Sequence, residues 1–135
     1  MMKRSFFAVL AIFLAWSILD FLIHGLLLKP TYQATASLWR PEAEMKMGFM
    51  SLVTVMVSLC FVAIYSLMIE AKSWATGLKY GVLFGLGAGT SMGFGSYCFM
   101  PISLFLASTW CLGTLVEFTV AGAIVGFVIR KPGVA

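Results

Sequence analysis

Asp20, His24 and Glu117 are the residues of this sequence best suited to exchange a proton, because Asp20 and His24 lie together inside one long apolar run and Glu117 inside another. Ser17, Asp20 and His24 follow one another at i, i+3 and i+7, which places them on one face of a helix. A carboxylate held at mid-membrane costs about 2.5 to 3.5 kcal/mol on insertion scales, so both acids are expected to face other helices and to be protonated or paired. Asp20 and His24 stand one turn apart and can pair directly. The chemistry implied is a proton or small-solute path in which Asp20 and Glu117 change protonation and His24 relays. The alternative is a static polar network that holds helices in register.

Hydroxyls extend the pattern. Ser51, Thr54, Ser58 and Tyr65 form a stripe on one segment, and Thr90 and Tyr97 share a face of the next. Counted from the ends of their segments, Asp20 is about eight residues deep and Glu117 about thirteen, an offset of roughly 8 Å at 1.5 Å per residue. The expected link between the acids is therefore through water or hydroxyls rather than direct contact.

The elements that must position these groups follow from composition. Of 135 residues, 61% are hydrophobic and 10% charged, and the mean hydropathy is +1.02; soluble domains carry about 25% charged residues. Apolar runs of roughly 20 residues recur, long enough to cross a bilayer. Four spans are expected, at about 5–28, 48–69, 78–100 and 104–129, in a single all-α transmembrane domain covering 1–135, an integral membrane four-helix bundle. Residues 31–40, between Pro30 and Pro41, are expected to form a short interfacial helix with Tyr32, Ala36 and Trp39 on one side. The start Met1-Met2-Lys3-Arg4 resembles a signal. The apolar run behind it is too long for a cleaved one, even with Ala34-Thr35-Ala36 downstream, and predicts an uncleaved anchor.

Lys3, Arg4, Lys72, Lys79, Arg130 and Lys131 would share one side, against Lys29, Arg40 and Lys46 on the other. Six against three puts both termini inside. Trp39 and Trp110 then belong at the outer interface and Trp74 at the inner one. The net charge of +4 comes from residues at segment ends and makes no basic face, so nucleic acid is not an expected partner.

Gly81, Gly85, Gly89 and Gly93 repeat every four residues, with Gly87 and Gly95 beside them, and Gly122 and Gly126, with Gly113 further up, make a second small-residue face. Such faces let helix backbones approach closely in lipid, either inside the bundle or at a seam between chains. Cys60, Cys98 and Cys111 read as small buried hydrophobes. Met45, Met47 and Met50, with Met100 and His24, would be soft ligands for copper, but methionine is common membrane filler and no metal or cofactor is predicted. One histidine, no Cys-x-x-Cys, no phosphate loop and no zinc motif argue against an enzyme.

The run Leu19-Asp20-Phe-Leu-Ile-His24-Gly25, then Tyr32, Leu38-Trp39-Arg40-Pro41 and Glu117 through Gly126, resembles uncharacterised small bacterial four-helix integral membrane proteins, which carry no assigned activity. A fainter likeness is to small multidrug resistance transporters, which share the length and number of spans and use a membrane carboxylate for both proton and drug. In that family the glutamate lies in the first span, where Asp20 stands here near the outer end, and the Trp39-containing loop has no counterpart. The expected function is a non-catalytic accessory or assembly subunit of a bacterial plasma (inner) membrane. It would bind partner membrane proteins, or a second copy of itself, through its glycine faces. The alternative is a proton-coupled small-solute or drug transporter, dimeric, using Asp20, His24 and Glu117.

Overall fold

The computed structural model describes residues 2–130; Lys131, counted above among the inner charges, lies outside the described residues with the rest of the tail. Among the described residues all regular structure is helical. Helix α1 spans Met2–Asp20 and passes without interruption into a π-helical segment, Phe21–Leu27. The ladder breaks at Leu28, and a short helix α2, Lys29–Ala34, starts with Pro30 in its first turn, where the missing N–H costs nothing. Single 3₁₀ turns follow at Ala36–Leu38 and Glu42–Glu44. Helix α3 is Met47–Met68 and helix α4 is Trp74–Thr90. A second π-helical segment, Ser91–Gly95, carries α4 into the short α5, Ser96–Phe99, and helix α6 closes the fold at Leu104–Val128.

Three helices are long and apolar enough to cross a membrane: Met2–Leu27, Met47–Met68 and Leu104–Val128. The run from Trp74 to Phe99 is equally continuous, but its glycines and hydroxyls dilute its hydropathy.

Starts and stops are set by local chemistry. Ser73 caps α4 by accepting the Thr76 N–H at 3.1 Å, and Ser103 caps α6 by accepting that of Leu106 at 3.2 Å. Lys72 Nζ donates to the Ile69 carbonyl at 2.8 Å, close behind the last turn of α3.

The closest packing is between α4 and α6. Gly77, Gly81, Gly85, Gly89 and Gly93 are all buried along it. A methyl group on Gly81 would meet the Phe118 carbonyl and the Gly122 backbone, and one on Gly93 would meet the Ala107 carbonyl. Gly122 and Gly126 answer from α6 against Gly81 and Gly77. The seam thus begins one repeat earlier than expected, at Gly77. Gly87 and Gly95 take no part in it, because the four-residue repeat turns them to other faces. Gly113 faces Ile23 of the first π segment rather than α4.

Beside the seam lies an aromatic core. Trp16 packs edge-on against Phe61 and Phe118, and Phe61 stacks on Tyr80 with ring centres 4.4 Å apart. Each polar tip finds a backbone carbonyl: Trp16 that of Glu117 at 2.8 Å, Tyr80 that of Phe61 at 3.0 Å, and Tyr65 that of Ser73 at 2.9 Å. Buried Tyr and Trp need such partners. Cys60 and Cys98, expected as buried hydrophobes, lie instead on uncovered helix faces, and Cys111 is half-buried against the Gly89 and Gly93 backbone.

Candidate functional site

The first apolar segment carries Asp20 at the last α-helical position and His24 inside the π-helical stretch. There the ladder runs i to i+5, as in the bond from Leu28 N–H to the Ile23 carbonyl at 2.8 Å. Segments of this kind recur at functional sites because they turn side chains out of the α-helical phase. His24 Nε2 stands 3.9 Å from Asp20 Oδ1, and both side chains are a little over one third exposed, at 38% and 39%.

The expected gap between the two acids closes. The packing of α1 against α6 brings Asp20 beside Glu117, close enough for the two carboxyl groups to act on each other. Two features of the packing explain the difference. The ends of the two segments are not level: Leu28 packs beside Leu106 and Ala107, Ile23 lies against Gly113, and the Trp16 indole reaches the Glu117 carbonyl. Asp20, between Trp16 and Ile23, therefore sits level with the turn that holds Glu117. In addition, side chains on a helix lean toward its N-terminus. Because α1 and α6 run in opposite directions, Asp20 and Glu117 lean toward each other.

A hydrogen bond between two carboxyl groups exists only when one of them holds a proton. Glu117 Oε1 is buried and has no hydrogen-bond partner among the described residues. A buried polar atom without a partner calls for an explanation.

On its other side His24 meets residues that sequence reasoning assigned to the membrane interface. Its Nδ1 is 2.6 Å from the Tyr32 hydroxyl, which also accepts the indole N–H of Trp110 at 2.8 Å. The imidazole lies nearly parallel to the Tyr32 ring, at 6.0 Å and 16°. Trp39 packs edge-on against both Tyr32 and Trp110, and its own N–H goes to Thr35 Oγ1 at 2.9 Å. Tyr32, Leu38 and Trp39 pack on the cluster of Leu28, Ile102, Leu106 and Ala107, so this loop is docked against α6. Burial pushes the Tyr32 hydroxyl above its ordinary range, the Trp110 hydrogen bond draws it back, and the Asp20 charge pushes it up again. The net rise keeps Tyr32 a neutral donor. The signal that could have found it is the interval of eight residues from His24, with Pro30 at the start of a new helix turning the chain back.

The remaining hydroxyls do not converge. Ser17 is exposed and bonds back to the Phe13 carbonyl at 2.7 Å. Ser58 is fully buried but gives its proton to the Thr54 carbonyl at 2.8 Å. Ser51 and Thr54 likewise bond to carbonyls one turn back, and Tyr65 holds the loop after α3. Thr90 and Tyr97 are exposed, and the π-helical segment between them shifts their phase, so counting 3.6 residues per turn through it misplaces them. Met45, Met47 and Met50 are exposed, whereas Met100 packs on the Leu28 and Ile102 cluster.

The arrangement is therefore an ordered row: Glu117, Asp20, His24, Tyr32, Trp110. No protein-family model matches the chain, and comparison with curated proteins and with solved structures finds no similar one.

Proposed function

We propose that this chain is a proton-exchanging integral membrane protein, a small carrier that takes up and releases a proton at Asp20 and Glu117 as it moves a small solute. The observation that carries this reading is the placing of Asp20 level with Glu117, with His24 one turn beyond and Glu117 Oε1 buried and left unpartnered. In an apolar layer a lone acid is costly, and a pair that shares a proton offsets part of that cost while remaining able to titrate.

The membrane setting belongs to the same proposal: four crossings in a bacterial plasma membrane, with both termini inside. Arg4 Nη1 donates to the Arg130 carbonyl at 3.2 Å, and Ser5 Oγ lies 3.3 Å from Ser66 Oγ. The start of α1 and the residues just after α6 therefore lie at the same end of the molecule, which favours an even number of crossings between them. The glycine-rich run from Trp74 to Phe99 supplies the fourth.

A second reading has its own support. Most of α3 between Met47 and Val57 is uncovered by the rest of the chain, a larger bare surface than any other long helix presents near its start. An accessory subunit would use that surface for a partner membrane protein. The glycine faces are less suited to the task, because α4 and α6 already turn them toward each other.

Infrared difference spectra of the protein in vesicles, recorded between acid and alkaline pH, test the first reading. A protonated-carboxyl band should vanish as pH rises and should be missing in Glu117→Gln, while proton flux into dye-loaded vesicles stops in both Glu117→Gln and Asp20→Asn. A wild-type protein with no titrating carboxyl band sinks the proposal. Variants that fail to accumulate, beside a wild type without flux, would leave the acids a structural role.

A further inference from the structure

We propose that Trp110, acting through Tyr32, fixes the tautomer of His24, so that its ring proton sits on Nε2 and faces Asp20. This deepens the proton-exchange reading and rests on it for its purpose, though not for its geometry.

The argument is one of donors and acceptors. An indole N–H can only donate, so the 2.8 Å bond from Trp110 Nε1 occupies a lone pair of the Tyr32 oxygen. The other short contact of that hydroxyl is His24 Nδ1, at 2.6 Å. If Nδ1 carried the ring proton, Tyr32 would have to accept twice, and its own O–H would be left with no acceptor among the described residues in a half-buried place. Leaving a donor unsatisfied there costs more than a made hydrogen bond contributes. The alternative satisfies every group: Trp110 donates to Tyr32, Tyr32 donates to Nδ1, and the imidazole keeps its proton on Nε2. That nitrogen is the one 3.9 Å from Asp20 Oδ1.

The direction matters for the proposed chemistry. With its proton held on Nε2 the ring points a donor at the acid pair and keeps Nδ1 as the acceptor of the Tyr32 hydroxyl, so that a further proton taken up by the ring would make an imidazolium able to release the Nε2 proton to Asp20 and return to neutral imidazole. Fixed the other way, the ring would present a bare nitrogen to an acceptor-only carboxylate. Tyr32 and Trp110 are thus positioning residues, and the loop from Lys29 to Trp39 brings Tyr32 to the ring when it docks on α6. The groups facing His24 are Asp20 from its own helix, Glu117 beyond it from α6, and Tyr32 from the loop.

The chain contains a single histidine, so nitrogen-15 labelling of histidine gives one ring to observe. At about pH 8, above the ordinary histidine range, the wild-type protein in lipid should show protonated Nε2 and a hydrogen-bonded, unprotonated Nδ1. The preference for that tautomer should be about tenfold, as one hydrogen bond of ordinary strength supplies. In Tyr32→Phe the ratio should fall to that of free imidazole. In Trp110→Phe, where the Tyr32 O–H can turn toward the space the indole N–H held and leave its oxygen to accept from Nδ1, the second tautomer should appear as well. A proton on Nδ1 in the wild type, as the other tautomer or as imidazolium, overturns the proposal even if neither variant folds. An unchanged ratio in folded Tyr32→Phe overturns it too. The carboxyl band of Asp20 and Glu117 is read separately, so either inference can fail alone.

Discussion

In the half of the molecule that holds the start of α1 and the end of α6, α3 turns Phe61, Val62, Tyr65 and Ser66 inward, and α4 lies against α6 with only glycine between the backbones. Toward the other end, α3 runs from Met47 to Val57 almost without neighbours, and α1 is tied to α6 by Asp20, His24, Tyr32 and Trp110. The glycine seam itself runs on through the second half, where Gly89 and Gly93 lie against Cys111 and Ala107; what changes there is that α3 loses its cover and polar side chains gather between α1, the loop and α6. In lipid, where apolar surface gains nothing by leaving the solvent, close fit is the stronger tie. In the proposed exchange cycle the polar ties around the acids are the ones that would be remade, while the glycine seam would stay as it is.

The largest expected effect comes from breaking the fitted half. Gly81→Val would drive a branched side chain into the Phe118 carbonyl and the Gly122 backbone, which cannot rotate away. A loss of about 3 kcal/mol, the upper end for overpacking, is expected in reversible unfolding in detergent. A change of less than a third of that would show that the two helices part easily. Tyr32→Phe removes the hydroxyl shared by His24 and Trp110, and should cost about 1 kcal/mol globally. Its clearer signature is faster protease cleavage between Ala34 and Glu44, since the loop loses its tie to α6. Gly87→Ala is the smallest. Nothing lies within reach of an added methyl there, so the helix gains about 0.5 kcal/mol from reduced backbone freedom. A large loss would place Gly87 at a contact between chains.

Much of this was readable beforehand. Apolar run length fixed the first, second and last long helices to within three residues of their observed ends, because few alternatives satisfy backbone groups over such a stretch. The four-residue glycine spacing marked the inner face of α4, since only a helix gives that spacing a meaning. The pairing of Asp20 with His24 was also legible. Tyr32 and Trp110 were not, because their bond joins residues 78 apart in the chain, and only packing decides which distant aromatic reaches which hydroxyl. Thr90 and Tyr97 were misread for a different reason: a helical wheel assumes one winding throughout, and Ser91–Gly95 is wound more loosely. Asp20 and Glu117 were set apart because depth was counted from segment ends taken as level, and they are not.

The tight α4 and α6 seam has a consequence for how the chain is made. Only residues 100–103 separate the glycine-rich run from the apolar helix that follows it. If the glycine-rich run crosses the membrane as proposed, it has the weaker claim on lipid of the two, and its glycine face is covered only where α6 lies against it. The two would then enter as one hairpin, and a chain cut off before α6 would leave the earlier helix with no surface built to receive it.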